Sequence, residues 1–132
     1  MIHDLDETLK KLLERYLPTQ LAQQVAISFA APDNQFPGSA VTPPAVDLFL
    51  YDVRENRDLR SNEWLIERDQ NGIATQTPPP VRVDCSYLIT AWSNAADNPS
   101  QDEHRSLGEV MRVLLRFPTL SPDVLVGEMN VG

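Results

Sequence analysis

A central β-strand is predicted by the sequence V-D-L-F-L-Y-D-V-R (Val46 to Arg54), whose apolar residues stand at both odd and even positions. Such a pattern is typical of a strand that is covered on both faces at its centre. A second strand is predicted by V-R-V-D-C-S-Y-L-I-T-A-W (Val81 to Trp92). One parity of this stretch is mostly apolar, and the other becomes apolar only at Leu88 and Trp92. We therefore expect the second strand to be exposed at its start and buried toward its end.

A charged and polar insert separates these two strands. It begins with E-N-R-D-L-R-S-N (Glu55 to Asn62), and it places Asn71-Gly72 between two short runs, Glu63 to Gln70 and Ile73 to Gln76. An Asn-Gly pair is a strong short-range signal for a β-hairpin. Both runs are largely polar after Ile66, so this hairpin has little apolar surface to bury. We therefore expect it to project from the body of the protein.

Two amphipathic helices are predicted outside this region, because apolar residues recur there at spacings of three and four. Pro18 ends the first helix, and Pro118 ends the second. Ser100 and Glu103 have the spacing of a capping box at the start of the second helix. The apolar residues are Ile2, Leu5, Leu9, Leu12, Leu13 and Tyr16 in the first helix and Leu107, Val110, Met111, Leu114 and Leu115 in the second.

These elements predict a single α+β domain over residues 1–132, with a twisted, mostly antiparallel sheet flanked by two helices and a projecting β-hairpin. A length of 132 residues suits one domain. Two short strands are also predicted, over Val25 to Ala30 and over Val124 to Val126. The predicted core consists of Leu9, Leu12, Leu48, Leu50, Tyr87, Ile89, Leu107, Met111 and Leu114.

The composition is acidic, with 19 Asp and Glu against 11 Lys and Arg and a formal net charge of -8. This balance argues against binding to nucleic acid or to an anionic membrane surface, because both need clustered cations. The single cysteine, Cys85, excludes an intramolecular disulfide, and a small buried side chain is expected there. The first residues are too acidic for a signal peptide, and no apolar stretch approaches the ~20 residues of a membrane span. We therefore expect a soluble cytoplasmic protein.

The sequence contains no recognisable catalytic motif. The patterns of phosphate-binding loops, dinucleotide-binding turns and nucleophile elbows are absent. His3 and His104 have no second histidine or cysteine at ligand spacing, and we interpret both as surface residues. The alternative for His104 is a cation site shared with Asp102 and Glu103. We predict no metal, no cofactor and no enzymatic activity.

Three carboxylates, Asp47, Asp52 and Asp84, lie on or near the two long predicted strands. Paired carboxylates are able to perform acid–base catalysis, but several arginines stand nearby in the sequence. We interpret the three as part of a solvated or salt-bridged face of the sheet. A small cytoplasmic hydrolase that uses Asp47 or Asp84 is the alternative from another functional class.

The segment D-V-R-E-N-R-D-L-R (Asp52 to Arg60) mixes three arginines with three acidic residues. A mixed run of this kind is commonly a solvated face. The alternative is a docking surface, in which bidentate pairs between arginine and carboxylate fix the orientation of subunits. The predicted hairpin directly after the segment favours the docking surface.

Four blocks of the sequence resemble, in order and spacing, the N-terminal domain of the cap or tail-terminator proteins of contractile injection systems. These systems are phage-tail-like particles with an inner tube inside a contractile sheath. The blocks are the helix Ile2 to Leu17, the stretch Pro44 to Asn62, the stretch Pro79 to Trp92, and an acidic loop followed by Glu103, Leu107, Gly108, Met111, Leu114, Pro118 and Leu120. The chain departs from the family at Arg57, where a proline is common. Family members usually continue past the second helix, so this chain is either a short member or one that lacks a C-terminal extension after Gly132.

The resemblance implies a structural protein that forms a hexameric ring on the distal end of the tube and sheath and stops their polymerisation. The implied partners are other copies in a homo-hexamer, the inner tube protein and the sheath protein, with no nucleic acid and no direct membrane insertion. The particle would assemble in the cytoplasm, with release from the cell as a further possibility. Strand addition by the hairpin and charge pairing by the Arg/acid segment are two ways to grip a neighbour. The predicted interface residues are Arg54, Glu55, Asn56, Arg57, Arg60, Asn62, Trp64, Ile66 and Arg68. A phage-type tail-completion or connector protein is the alternative within the same class.

Overall fold

The computed structural model describes residues 1–35, 38–58, 65–77 and 82–127. Within these ranges the chain forms three helices and five strands, and the predicted α+β class is confirmed. In chain order the elements are α1 Ile2–Tyr16, α2 Thr19–Gln24, β1 Ala26–Ser28, β2 Ala45–Glu55, β3 Leu65–Arg68, β4 Ala74–Thr77, β5 Val83–Trp92 and α3 Pro99–Arg116. The short helix α2 was not predicted, because its sequence carries no apolar stripe. The structure agrees with this pattern, since none of the six residues of α2 is buried.

Three strands form one sheet in the order β1, β2, β5. β1 runs parallel to β2, with Ala26 opposite Ala45 and Ser28 opposite Asp47. Asn56, just after β2, donates its backbone N–H to the carbonyl of Arg82, just before β5, at 2.8 Å. The end of β2 therefore meets the start of β5, and these two strands are antiparallel. The sheet is mixed, because the long connection after β1 returns the chain to the same end of the sheet before β2 begins.

The predicted hairpin is confirmed as the antiparallel pair of β3 and β4, in which Arg68 lies opposite Ala74. Its turn is held by Asp69, whose Oδ1 accepts hydrogen bonds from the backbone N–H groups of Asn71 and Ile73, both at 2.9 Å. Gly72 has a φ of 76°, a left-handed conformation that glycine adopts without steric cost. The projection of this hairpin from the body stays a prediction.

The contacts divide the chain into two compact units. We call Met1–Phe49 together with Leu88–Gly132 the core unit, and Leu50–Tyr87 the hairpin unit. Every buried apolar residue of the described chain lies in the core unit, so hydrophobic stabilisation is concentrated there. These residues are Leu12, Leu13, Leu17, Val41, Ala45, Val46, Leu48, Ala91, Val110, Val113 and Val124.

The observed core overlaps only in part with the predicted one. Leu12 and Leu48 are buried as predicted, but Met111 is 57% exposed, and that prediction is wrong. Helix α3 instead turns Val110 and Val113 inward, because its apolar residues span a wide arc and packing selects one side of it. The remaining predicted core residues are half-buried, namely Leu9, Leu50, Tyr87, Ile89, Leu107 and Leu114.

The start of α3 differs from the predicted capping box. The helix begins at Pro99 after Asn98, and Asn98 makes no side-chain capping bond. The Glu103 carboxylate accepts the backbone N–H of Ser93 at 3.0 Å, and the Asp102 carboxylate accepts the Ser93 hydroxyl at 2.6 Å. The beginning of α3 is therefore hydrogen-bonded to Ser93, the residue that directly follows β5.

The predicted strand over Val124 to Val126 is wrong, because residues 122–124 form a turn and the next two residues belong to no strand. Val124 is fully buried, and the Asp123 carboxylate pairs with Arg15 at 2.7 Å. The backbone N–H of Val126 is accepted by the hydroxyl of Thr8 in α1 at 3.2 Å. A hydrogen bond and an ion pair therefore join this segment to α1, and Val124 is buried without being part of a strand.

Candidate assembly interface

The structure describes Asp52–Asp58 of the charged segment. These residues form the end of β2 and the beginning of the exposed loop after it. The Nε of Arg54 donates to Oδ2 of Asp52 at 2.7 Å. The hydrogen bond and the charge of Asp52, with a smaller contribution from the charge of Asp84, raise the pKa of Arg54 above its ordinary value. The Arg54 side chain is 73% exposed, so this pair contributes little to stability and leaves donors of the guanidinium available to a partner.

Asn56 ties the charged segment to the beginning of β5. Besides its backbone bond to Arg82, its side-chain Nδ2 donates to Oδ1 of Asp84 at 3.2 Å. Asp84 is exposed and lies 28 residues away in the sequence, and only strand pairing brings it to this place. The structure thus places both Asp52 and Asp84 beside arginine and asparagine side chains, in agreement with a salt-bridged, solvated face.

An open cleft of about 560 Å³ lies in this part of the hairpin unit. Among the described residues its lining carries four carboxylates and two guanidinium groups, and none of these residues forms an ion pair with the Arg57 guanidinium. The lining residues are Asp52, Arg54, Glu55, Asn56, Arg57, Asp58 and Asp84. A surface that offers both signs of charge in fixed positions suits recognition of a complementary charged surface.

The hairpin carries the other described interface candidates. Ile66 in β3 is 61% exposed, and Arg68 at the end of β3 is exposed with no ion-pair partner among the described residues. Ile73, close to the turn, is also 61% exposed. The predicted interface residues Arg60, Asn62 and Trp64 lie outside the described residues.

Sequence reasoning missed the apolar part of this surface. Tyr51 and Val53 in β2 are 61% and 44% exposed, and Val83 in β5 is 47% exposed. Both parities of β2 are apolar in the sequence, and that pattern was interpreted as coverage of the strand centre. The structure covers only the first part of the strand, where Val46 and Leu48 are buried. Apolar residues that continue beyond a predicted core are the signal that would have found this surface.

Of the residues weighed for catalysis, Asp52 and Asp84 line the charged cleft together. His3 and His104 are exposed, and Cys85 is half-buried. Asp47 is buried, and its Oδ1 accepts the backbone N–H of Ala30 at 2.9 Å. No three His, Cys, Asp or Glu side chains of the described ranges lie close enough together to hold a metal ion. None of the described helices is both long enough and apolar enough to cross a membrane.

The arrangement of helices, mixed sheet and hairpin can be compared with known proteins. The model of the Pvc16 N-terminal domain matches residues 4–132. The chain belongs to the Pvc16 N-terminal domain family. No curated protein matches the chain significantly. The resemblance to cap and tail-terminator proteins of contractile injection systems is confirmed by the family match together with a similar solved structure.

A solved structure supports the membership in the Pvc16 N-terminal domain family. The chain is similar to one in a cryo-EM structure of an extracellular contractile injection system, described as the PVC sheath/tube terminator in the extended state. The TM-score is 0.65 and the sequence identity is 26%. The match covers 92% of this chain and 40% of the other, so this chain spans less than half the length of the protein it matches.

Proposed function

We propose that this protein is a component of a sheath/tube terminator in a contractile injection system and that its role is structural. The observation that carries the proposal is the match to a sheath/tube terminator over 92% of this chain. The protein would work within an assembled particle that is built in the cytoplasm.

The finer proposal is a hexameric ring that caps the distal end of the inner tube and the sheath. A closed ring of identical subunits needs two different, mutually complementary surfaces on each copy. The partners would be other copies of this protein, the tube protein and the sheath protein. One face of the ring would match the growing end, and the opposite face would not, so that no further subunit adds.

The hairpin unit is the proposed docking surface. No described side chain in this unit is buried, whereas large apolar side chains are exposed in it. These side chains are Tyr51, Val53, Ile66, Ile73 and Val83. A two-stranded hairpin is at best marginally stable in water, and its outer edges carry backbone groups that are able to pair with another strand. Burial against a neighbour would supply the hydrophobic stabilisation that the unit lacks when free.

The charged cleft, together with Arg68 at the end of β3, would set the register of the contact. Arg54 is already oriented by Asp52, whereas Arg57 and Arg68 have no described ion-pair partner. Guanidinium groups with free donors bind carboxylates in a defined, bidentate geometry. We propose that Arg57 and Arg68 pair with carboxylates of a neighbouring subunit, the tube or the sheath.

The proposed role is tested by negative-stain imaging of particles assembled with and without this protein. Uniform particle lengths in its presence, and over-long or ragged tubes in its absence, are expected of a terminator. Unchanged lengths would overturn the proposal. If particles assembled without the protein have normal lengths but fail to join another component, the result would instead support the connector alternative.

The docking surface is tested by the variants Arg57→Glu and Arg68→Glu, with Arg105→Glu as the matched control. All three reverse the charge of an exposed arginine, but Arg105 lies on α3 in the core unit. The two hairpin-unit variants should fold normally and bind particles at least about tenfold more weakly, because a carboxylate would then face a carboxylate. Equal binding of all three variants to particles would show that neither Arg57 in the charged cleft nor Arg68 in the hairpin contributes to the interface.

A further inference from the structure

A groove on the core unit is not used by the proposed docking surface. It lies between the sheet and the loop of residues 31–35 and 38–41, and its cavity volume is about 200 Å³. Its walls are mainly apolar and include Phe49 from β2 and Leu88 and Trp92 from β5. Pockets for cofactors and drug-sized ligands usually measure ~300–1,000 Å³. This groove therefore has room for one or two protein side chains.

A single buried carboxylate marks the groove. Asp47 is only 8% exposed, and its Oδ1 accepts the backbone N–H of Ala30. Its Oδ2 makes no hydrogen bond within the described ranges. Asp33 also lines the groove, and no lysine or arginine does so among the described residues. The groove is thus apolar with a negative charge, and a cation is the chemical complement of that charge.

The aromatic wall of the groove is held in place. The indole N–H of Trp92 donates to the Thr90 hydroxyl at 3.1 Å, and both side chains line the groove. Leu88, on the same side of β5, is 52% exposed and extends the apolar wall. A fixed indole ring is a preferred platform for a guanidinium group, which stacks on its face.

We propose that this groove docks a short segment of another protein in which an arginine stands beside an apolar side chain. The guanidinium lies against Trp92 and donates to the free oxygen of Asp47, and the apolar neighbour packs on Leu88 and Phe49. The planar guanidinium suits this position better than an ammonium group, because it both stacks and donates in a fork. The occupant is a segment of another protein that complements the groove, with a cation for the buried Asp47 carboxylate and an apolar side chain for the apolar wall.

The groove is tested by tryptophan fluorescence in a Trp64→Phe background, which leaves Trp92 as the only indole. The probe is a short capped peptide, Leu-Arg-Leu, and its control is the same peptide with citrulline, a neutral isostere, in place of arginine. The arginine peptide should change the Trp92 emission saturably. It should bind at least about tenfold more tightly than the citrulline peptide, because only the arginine carries the charge that complements Asp47.

The Asp47→Asn variant should abolish this preference for arginine, because an amide keeps an oxygen for the Ala30 N–H but loses the charge. Asp97→Asn is the matched control, since it removes one charge from an exposed position outside the groove. An equal preference in both variants would show attraction to the net charge alone and would overturn the proposal.

Leu88→Ser keeps the proposal testable if Asp47→Asn fails to fold. Leu88 is half-exposed, so the change should leave folding intact and weaken both peptides by a similar factor. Unchanged binding to Leu88→Ser would overturn the proposal. A Trp92 emission that depends on protein concentration without peptide would also overturn it, because a second copy would then occupy the groove.

Discussion

At the scale of single residues, a small cluster joins the C-terminal segment to the first helix. Thr8 is fully buried, and its hydroxyl donates to the Asp4 carbonyl at 2.7 Å while it accepts the N–H of Val126. Asp4 is also buried, and Gly127 lies directly against its carboxylate. Buried polar groups are tolerated only when they are hydrogen-bonded, so this cluster depends on close packing around each member.

Gly127→Ala should lower the free energy of unfolding by about 1–3 kcal/mol, because a left-handed φ is unfavourable for alanine. Gly127 has a φ of 62°, and an added methyl group would overlap the Asp4 carboxylate. Gly108→Ala is the matched control, since Gly108 is helical and nothing lies near the added methyl group. That change should raise stability by about 0.5–1 kcal/mol. Urea unfolding measures both, and shifts of the same sign would contradict the expectation.

A second residue-scale prediction concerns the Asp33 carboxylate, which accepts the Ser39 hydroxyl and the backbone N–H groups of Ser39 and Gln35. These bonds hold the pKa of Asp33 below its ordinary value of 3.8, and the Ser39 hydroxyl is the largest cause. A lowered pKa means that the stabilisation is present above the unfolded-state pKa and is lost as pH falls through the folded-state pKa. Ser39→Ala should therefore raise the pKa of Asp33.

Carboxyl-carbon NMR titration of the wild type and the Ser39→Ala variant measures this shift. Asp123 provides the internal control, because the Ser121 hydroxyl is the main cause that lowers its pKa. The Asp123 titration should be the same in both proteins. An unchanged Asp33 titration would show that the Ser39 hydroxyl does not stabilise the charged form.

At the scale of elements, α3 has two apolar faces but buries only one. Val110 and Val113 point into the core, whereas Met111 and Leu115 are 57% and 76% exposed. The spacing of apolar residues predicts which side of a helix is apolar. When that apolar side is wide, the spacing does not predict which of its residues are buried. Ser93 donates hydrogen bonds to the Asp102 and Glu103 carboxylates, and these bonds anchor the first turn and limit the rotation of the helix.

Val110→Ala should cost about 2 kcal/mol of stability, because it opens a cavity in a fully buried position. Met111→Ala, on the adjacent residue, should change stability by less than about 0.5 kcal/mol. Thermal unfolding of the isolated protein measures both variants. A larger loss from Met111→Ala than from Val110→Ala would mean that the exposed face of α3 is covered in the isolated protein.

At the scale of the whole molecule, burial is unevenly distributed. The core unit contains the buried residues, and the described residues of the hairpin unit are exposed or half-buried. Local stability follows the number of buried apolar contacts, so the two units should differ in their opening free energies. A ring subunit that acquires part of its burial only on assembly would have this distribution.

Hydrogen exchange measured by mass spectrometry should show this difference. In the isolated protein, amides of residues 65–77 should exchange much faster than those of α1 and α3, since the hairpin has little buried surface. In assembled particles the same amides should slow by at least about tenfold, if the hairpin pairs with a neighbour as proposed. Equal exchange in both states would place the docking surface elsewhere. Amides of α1 serve as the internal control.

The sequence alone determined the order and type of most elements, because helical and strand periodicities are local properties. Both long strands, the two long helices and the Asn71-Gly72 hairpin were predictable in this way. The charged residues 52–58 were likewise visible as a candidate site. Which residues complete that site depends on the fold, since the pairing of β2 with β5 brings Asp84 to Asn56 across 28 positions.

Packing also decided what the patterns left open. It selected the buried face of α3, it buried Asp47 on a sheet face expected to be solvated, and it buried Val124 in a turn instead of in a strand. Each of these outcomes depends on which apolar surfaces meet across long sequence separations. Sequence periodicity predicts that an element has an apolar face to bury. It does not predict which residues bury that face, because those residues lie far away in the sequence.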